Sequence, residues 1–267
     1  MTTPQLLDVL QQGPILCQRA LPPSEFLHLY SALVCGTPLH TGEERRLFLD
    51  SGLIHILVVS GAHLMFLESL LGFLGARTRM VLLAAYCWLT GFGAPVVKAC
   101  ARRVLESPSR RYGWSGLQTE AASVLICLIF VPEWLVSRSF LMSWICALTF
   151  LLPPLFRWKV LDQALKAFAL LYMFCPSSPF TILWNVALAP LVGIVLFPAS
   201  LLVVVMPWFT GVVDGAWFLF LEALRFGPKA PPEIWYLPTA PLLWWPIGVH
   251  GFLLWNEVRW RRARLFA

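Results

Sequence analysis

Two histidines and a serine sit inside an otherwise apolar run, GLIHILVVSGAH, from Gly52 to His63. Continued to Gly75, the segment is long enough to cross a hydrocarbon core, which takes about 20 residues at ~1.5 Å rise per residue. Imidazole and hydroxyl groups at such depth cost free energy unless they find partners, which makes His55, Ser60 and His63 candidates for function. On one regular helix at about 100° per residue, Gly52, His55, Ser60 and His63 share an arc of roughly 140°. A polar face of this kind, with Gly61 beside it, suits either a wet translocation path or buried hydrogen bonds between helices. Two histidines eight apart, without a nearby carboxylate or thiolate cluster, are no metal-ligand set, so neither metal nor cofactor is expected. Ser60 and His63 could also be read as a nucleophile and its base, an intramembrane serine hydrolase. A side chain three residues away on the same helix is poorly aimed to take that proton, however, and no oxyanion loop is evident nearby. The expectation is therefore not an enzyme.

The elements that must position these groups belong to a membrane protein. The hydrophobic fraction is 58% and charged residues make up 13%, about half the ~25% of soluble domains. Mean hydropathy is +0.73. Thirteen tryptophans and 21 prolines fit the same class, since Trp favours the interface and Pro is tolerated in spanning helices. The predicted fold is all-α, a polytopic transmembrane helical bundle with broken or re-entrant helices. A net charge of +6 would suit an acidic polymer, but inner-membrane proteins carry excess Lys and Arg in cytoplasmic loops anyway. Seven scattered cysteines without a C-x-x-C pair argue against a disulfide framework or a zinc site, and the mixed first 20 residues, with Pro4, Asp8 and Pro14, lead us to expect no cleavable signal peptide.

Along the chain, residues 1–46 read as an N-terminal interfacial segment and loop, with Phe26–Gly36 too short to span. Residues 47–256 read as the transmembrane domain and 257–267 as a basic cytoplasmic tail. Gly52–Gly75 is the first span. Met80–Thr90 and Val96–Glu106 flank a Gly91-Phe92-Gly93-Ala94-Pro95 interruption, and unwound backbone at membrane depth is tolerated only where it is buried or lines a watery cavity. Further spans fall at about 116–131, 140–156, 182–206, 216–226 and 241–255, with Leu165–Cys175 an uncertain short segment. Arg77/Arg79, Arg102/Arg103/Arg110/Arg111, Arg157/Lys159 and Arg259–Arg264 share the cytoplasmic side if Met80–Glu106 enters and returns; Arg138, Arg225 and Lys229 then fall outside. Glu68, the acid of the first span, and Lys98, the first cation after the break, form a possible ion pair.

The Gly52–His63 string is similar to the signature G-L-x-H-[IL]-L-x-[IV]-S-G-x-H of the ComEC family of DNA-uptake proteins. The likeness continues in order. Tyr86–Gly91 with Pro95-Val96-Val97-Lys98-Ala99 resembles that family's Y-x-x-[LI]-x-G…[PS]-x-x-R-A element. Pro132–Leu135 and Phe140-Leu141-Met142-Ser143-Trp144 resemble P-x-x-L…F-x-L-S-F, a helix-packing motif through Phe140 and Ser143. Asn185 with Pro190 fits the N-x4-P step of a later helix. Lys98 stands where the family has arginine, keeping the charge but losing the bidentate fork. The resemblance implies a membrane competence domain of the bacterial inner membrane, a channel through which single-stranded DNA passes during natural transformation. It further implies a periplasmic DNA receptor, a cytoplasmic DNA-translocating ATPase, and a path drawing on His55, Ser60, Gly61, His63, Gly91, Gly93 and Lys98. The OB-like and metallo-β-lactamase-like domains of full-length relatives have no counterpart in these residues, so separately encoded soluble domains, and a homo-oligomer, are possible partners. The competing reading is a structural or small-solute membrane protein that keeps the fold without DNA transport.

Overall fold

The computed structural model describes residues 12–39, 42–57, 61–152, 158, 162, 165–166, 179–227 and 239–265. They are helical, with no strand among the described residues. In chain order the helices are α1 (12–19), α2 (Leu27–Cys35), α3 (Glu43–Asp50), α4 (Ile54–Leu57), α5 (Gly61–Leu70), α6 (Ala76–Leu89) and α7 (Ala94–Tyr112). They continue as α8 (Gly116–Phe130), α9 (Arg138–Leu151), α10 (Pro179–Leu191), α11 (Phe197–Val205), α12 (Thr210–Phe226) and α13 (Thr239–Leu265). Helix α13 therefore carries through most of the basic tail expected after the last span. The uncertain Leu165–Cys175 segment lies almost wholly outside the described residues.

Glycines in the left-handed region stop three helices in the same way. Gly36, Gly91 and Gly113 have φ of 73°, 70° and 66°. In each case the next residue donates back across the turn: Thr37 N–H to Ser31 O, Phe92 N–H to Cys87 O and Trp114 N–H to Ser109 O. This arrangement satisfies carbonyls the helix end leaves open, and a residue without Cβ adopts it without strain. At its other end, α8 opens on a capping box: Ser115 Oγ accepts from Gln118 N–H, and Gln118 Oε1 accepts from Ser115 N–H.

The chain divides into two compact units, one of Met1–Val96 with Cys175–Ile234 and one of Val97–Phe174 with Trp235–Ala267. In the first unit α2 is buried from Leu29 to Cys35, packed against α4 and α11. It is part of the core of that unit. Tyr30 and Trp217 meet edge to face at 6.4 Å, and Phe48 stacks on Phe220 at 5.9 Å, joining α2 and α3 to α12.

The expected regular helix over 52–75 departs from regularity at its two ends, while residues 58–60 lie outside the described residues. Gly52 at φ 76° makes a turn, α4 is four residues long, α5 ends at Leu70, and a 3₁₀ turn, Leu71–Phe73, closes the run. Apolarity gave the depth of this segment but not its regularity. Trp184–Val205 is the one described stretch long and apolar enough to cross a membrane, 22 residues or about 33 Å. It runs through Pro190, a π-helical stretch Val192–Leu196, and Pro198. Each proline withholds an N–H from the carbonyl four residues back, and a π turn is one way a helix absorbs such a defect. Asn185, Leu188, Val192, Leu196, Phe197, Ser200 and Val203 are buried along one face. Leu191, Ile194, Val195, Leu202 and Val205 point outward.

The cysteines also correct the sequence reading. Cys17 in α1 and Cys35 at the end of α2 form a disulfide across 5.7 Å between Cα atoms, and Cys87 and Cys100 are disulfide-bonded as well. Cys127 and Cys146 are free thiols.

Candidate functional site

In the first unit the signature histidine His63 is buried, its ring 4.4 Å from Phe197 in the long span. Phe66 of α5 and Tyr86 of α6 close on the same ring at 6.0 and 6.5 Å, so Phe197 gathers three side chains from two helices, α5 and α6. Gly61 begins α5. The side chain of His55, and Ser60 altogether, lie outside the described residues.

The Gly91–Pro95 break is real. Helix α6 stops at Leu89, Gly91 and Phe92 both take positive φ, 70° and 54°, and α7 starts at Ala94 with Pro95 in its first turn, where the missing N–H costs nothing. A non-glycine residue held at positive φ is a point of backbone strain, which persists only where the surroundings enforce it. Helix α1 supplies the enforcement: Pro14 Cγ would lie 3.0 Å from a Cβ on Gly91, and a Cβ on Gly13 would meet Trp88 O at 2.1 Å. Gly93, by contrast, faces open space.

Two further polar features belong to this unit. Asp214 on α12 accepts from Ser24 Oγ at 2.7 Å and Tyr30 Oη at 2.6 Å on the same oxygen. Burial, then the bond to Asp214, pushes the Tyr30 hydroxyl up and keeps it a donor. Asn185 is fully buried and its amide makes no hydrogen bond, so the N-x4-P step places an unsatisfied polar group in the long span rather than a simple packing contact.

The second unit is built around a charge cluster. Lys98 on α7 and Glu120 on α8 are both almost fully buried, with Lys98 Nζ 2.5 Å from Glu120 Oε1. Arg102, one turn beyond Lys98, donates through Nη1 to Glu120 Oε2 at 2.9 Å. The possible Glu68–Lys98 pair is thus corrected: the carboxylate that Lys98 meets is Glu120, and Glu68 lies 3.7 Å from Arg79. Burial drives the choice, since an almost dry ammonium is tolerable only against a carboxylate equally dry. Arg103 and Arg110 both reach Glu106.

Around the cluster, Trp144 Nε1–H donates to His250 Nδ1 at 3.0 Å. An indole nitrogen can only donate, so Nδ1 is the acceptor and the Nε2–H of His250 points to Leu117 O, also at 3.0 Å. This fixes a neutral ring that ties α9, α13 and α8 together. Ser115 Oγ donates to Glu257 Oε2 at 2.6 Å, and Thr119 Oγ1 to Ser109 Oγ at 2.8 Å. Phe140 is buried beside Trp134 and Trp144, and Ser143 is partly exposed on the same helix.

Sequence reasoning passed over Glu120, Asp214 and the bonding of His250. A signal existed for the first: Glu120 is the one acid in the apolar run 116–131, and an intramembrane acid asks for a cation. Among the described residues no cluster of three or more His, Cys, Asp or Glu side chains could hold a metal ion.

Helix α8 has an unusual distribution of polarity. Its buried face carries Thr119, Glu120, Ser123, Val124 and Cys127, while Leu125, Ile126, Ile129 and Phe130 are exposed, the last two at 74% and 80%. Polar groups inside and apolar ones outside invert the pattern of a helix in water. The family model for Competence protein matches residues 39–262, and the chain belongs to that family, whose context is DNA uptake. No curated protein and no solved structure matches it.

Proposed function

We propose that this chain is a multi-pass inner-membrane component of the channel that takes up single-stranded DNA in natural transformation. The family match over 39–262 carries the reading. The inverted helix α8 and the outward apolar face of the long span support a bilayer environment, since such surfaces are stable in hydrocarbon and a liability in water. Conduction, not hydrolysis, is the role. In the second unit, the buried pair Lys98–Glu120 with half-buried Arg102 is the charged feature of the described structure that supports a polar path. A periplasmic receptor would deliver the strand, a cytoplasmic ATPase would draw it in, and separately encoded soluble domains could complete the machine.

The test is a deletion of the gene in a transformable host, scored by internalisation of labelled DNA and by transformant yield. Loss of both, restored by the wild-type chain, is expected. Undiminished uptake in the deletion strain would refute the reading and leave a structural or small-solute role.

A further inference from the structure

We propose that Arg102 is a docking point for a backbone phosphodiester of the translocated strand, and that Glu120 is its positioning residue. The inference rests on the DNA reading above and adds to it a specific contact.

Charge count comes first. Lys98 and Arg102 carry two positive charges against the single carboxylate of Glu120, so the cluster holds one surplus positive charge. The other cations nearby on α7 do not share that surplus, because Arg103 and Arg110 turn to Glu106. A charge away from water is retained only where something compensates it. A phosphodiester carries one negative charge and matches the surplus.

Geometry assigns the contact to Arg102 rather than to Lys98. The Lys98 side chain is 3% exposed and spent on Glu120 Oε1, whereas the Arg102 side chain is 31% exposed. Among the described residues Arg102 makes a single hydrogen bond, from Nη1, so the rest of its planar fork can meet phosphate oxygens side by side. Glu120, with no exposure, grips Nη1 from the buried side and aims the remaining edge outward. Lys98 neutralises that grip, which otherwise would cancel the charge of Arg102.

Position favours a strand over a lipid headgroup. Arg102 lies near the middle of α7, one turn beyond Lys98, and turns toward the same carboxylate. It also shares its carboxylate with the buried face of α8, opposite the exposed Leu125, Ile129 and Phe130.

The experiment uses the full chain in nanodiscs of phosphatidylcholine, with a fluorescein-labelled oligothymidylate followed by anisotropy across a salt series. Each phosphate released contributes about 0.7 to the slope of log affinity against log salt for a single strand. Arg102→Gln is expected to reduce that slope by about 0.7 and to weaken binding about tenfold or more. Glu120→Asp, which keeps the charge, should retain most of the affinity. The double change Lys98→Met with Glu120→Gln removes one charge of each sign and leaves Arg102 unaimed. It should therefore bind more weakly than wild type although the net charge is unchanged. Absence of any binding by the wild-type chain would overturn the DNA reading itself. Binding by wild type with an unchanged slope in Arg102→Gln would overturn this inference alone. Wild-type affinity in the double variant would remove the positioning role of Glu120. Loss of the Arg102-dependent part in phosphatidylglycerol discs would assign the site to a lipid headgroup and overturn the strand assignment.

Discussion

Removing the Glu120 carboxylate should destabilise the second unit far more than removing the Lys98 ammonium. In Glu120→Gln an ammonium 3% exposed loses its partner, and so does the half-buried Arg102. Breaking a buried pair from one side costs about 3–5 kcal/mol, because an uncompensated charge stays in the interior. In Lys98→Met the carboxylate still has Arg102 at 2.9 Å, so the loss is that of one charged hydrogen bond, about 1.5–3 kcal/mol. The double variant, Lys98→Met with Glu120→Gln, leaves neither charge of the pair buried and keeps the volumes, so it should recover most of the loss and fall short of wild type only by the partner that half-buried Arg102 still lacks. The coupling between the two sites then amounts to several kcal/mol, well beyond the ~0.5 kcal/mol within which independent sites add. The assay is reversible unfolding in bicelles, with each variant placed in a double-mutant cycle. Additive losses, or a Glu120→Gln protein as stable as wild type, would show that the cluster does not hold the unit together.

Other consequences follow from the first unit. Gly91→Leu should abolish DNA uptake, since it imposes a Cβ 3.0 Å from Pro14 on a residue at φ 70°, whereas Gly93→Leu, in open space, should leave uptake largely intact; transformation assays with membrane-fraction blots separate the two. Replacing Cys17 and Cys35 by serine should cost about 3 kcal/mol, from a closed loop of 18 residues, read as a lower thermal midpoint in detergent and a smaller shift on adding reductant than the wild type shows. Asp214→Asn should destabilise the unit by about 1–3 kcal/mol through weaker bonds to Ser24 and Tyr30, and Tyr30→Phe should lower its effect. Trp144→Phe should leave His250 Nδ1 without its donor and loosen α13 from α9, visible as faster amide exchange in α13.

The parts of this structure that could be read in the sequence are those coded locally. Gly91-Phe92-Gly93-Ala94-Pro95 announces its break because a left-handed glycine and a first-turn proline each act on their own few residues. The helical class follows from composition for the same reason. The Lys98–Glu120 pair depends on which helices meet, and nothing in the spacing of 22 residues distinguishes Glu120 from Glu68 as the partner. The Cys17–Cys35 bond is hidden likewise, since cysteines without a short motif pair according to the fold. The run 52–75 is the opposite failure. Its apolarity is legible, but the turn at Gly52, the 3₁₀ closure at Leu71–Phe73 and the packing of His63 and Phe66 on Phe197 are not written in any local pattern.

The proposed topology gains two independent constraints from the first unit. Loop charges place the segment before Gly52 and the end of α12 together outside the membrane. Arg225, at that end of α12, lies 3.0 Å from Glu43 at the start of α3, so the two segments do occupy one side of the unit. Both side chains are well exposed and the pair contributes little stability, but its geometry needs no energy to be informative. The disulfide Cys17–Cys35 belongs to the same N-terminal segment, and disulfides persist in oxidising compartments rather than in the cytosol. Charge distribution, an ion pair and a redox bond thus favour the same outer side. A cysteine introduced at Ala267 should accordingly resist an impermeant maleimide in intact cells and react after permeabilisation. Labelling before permeabilisation would overturn the proposed topology.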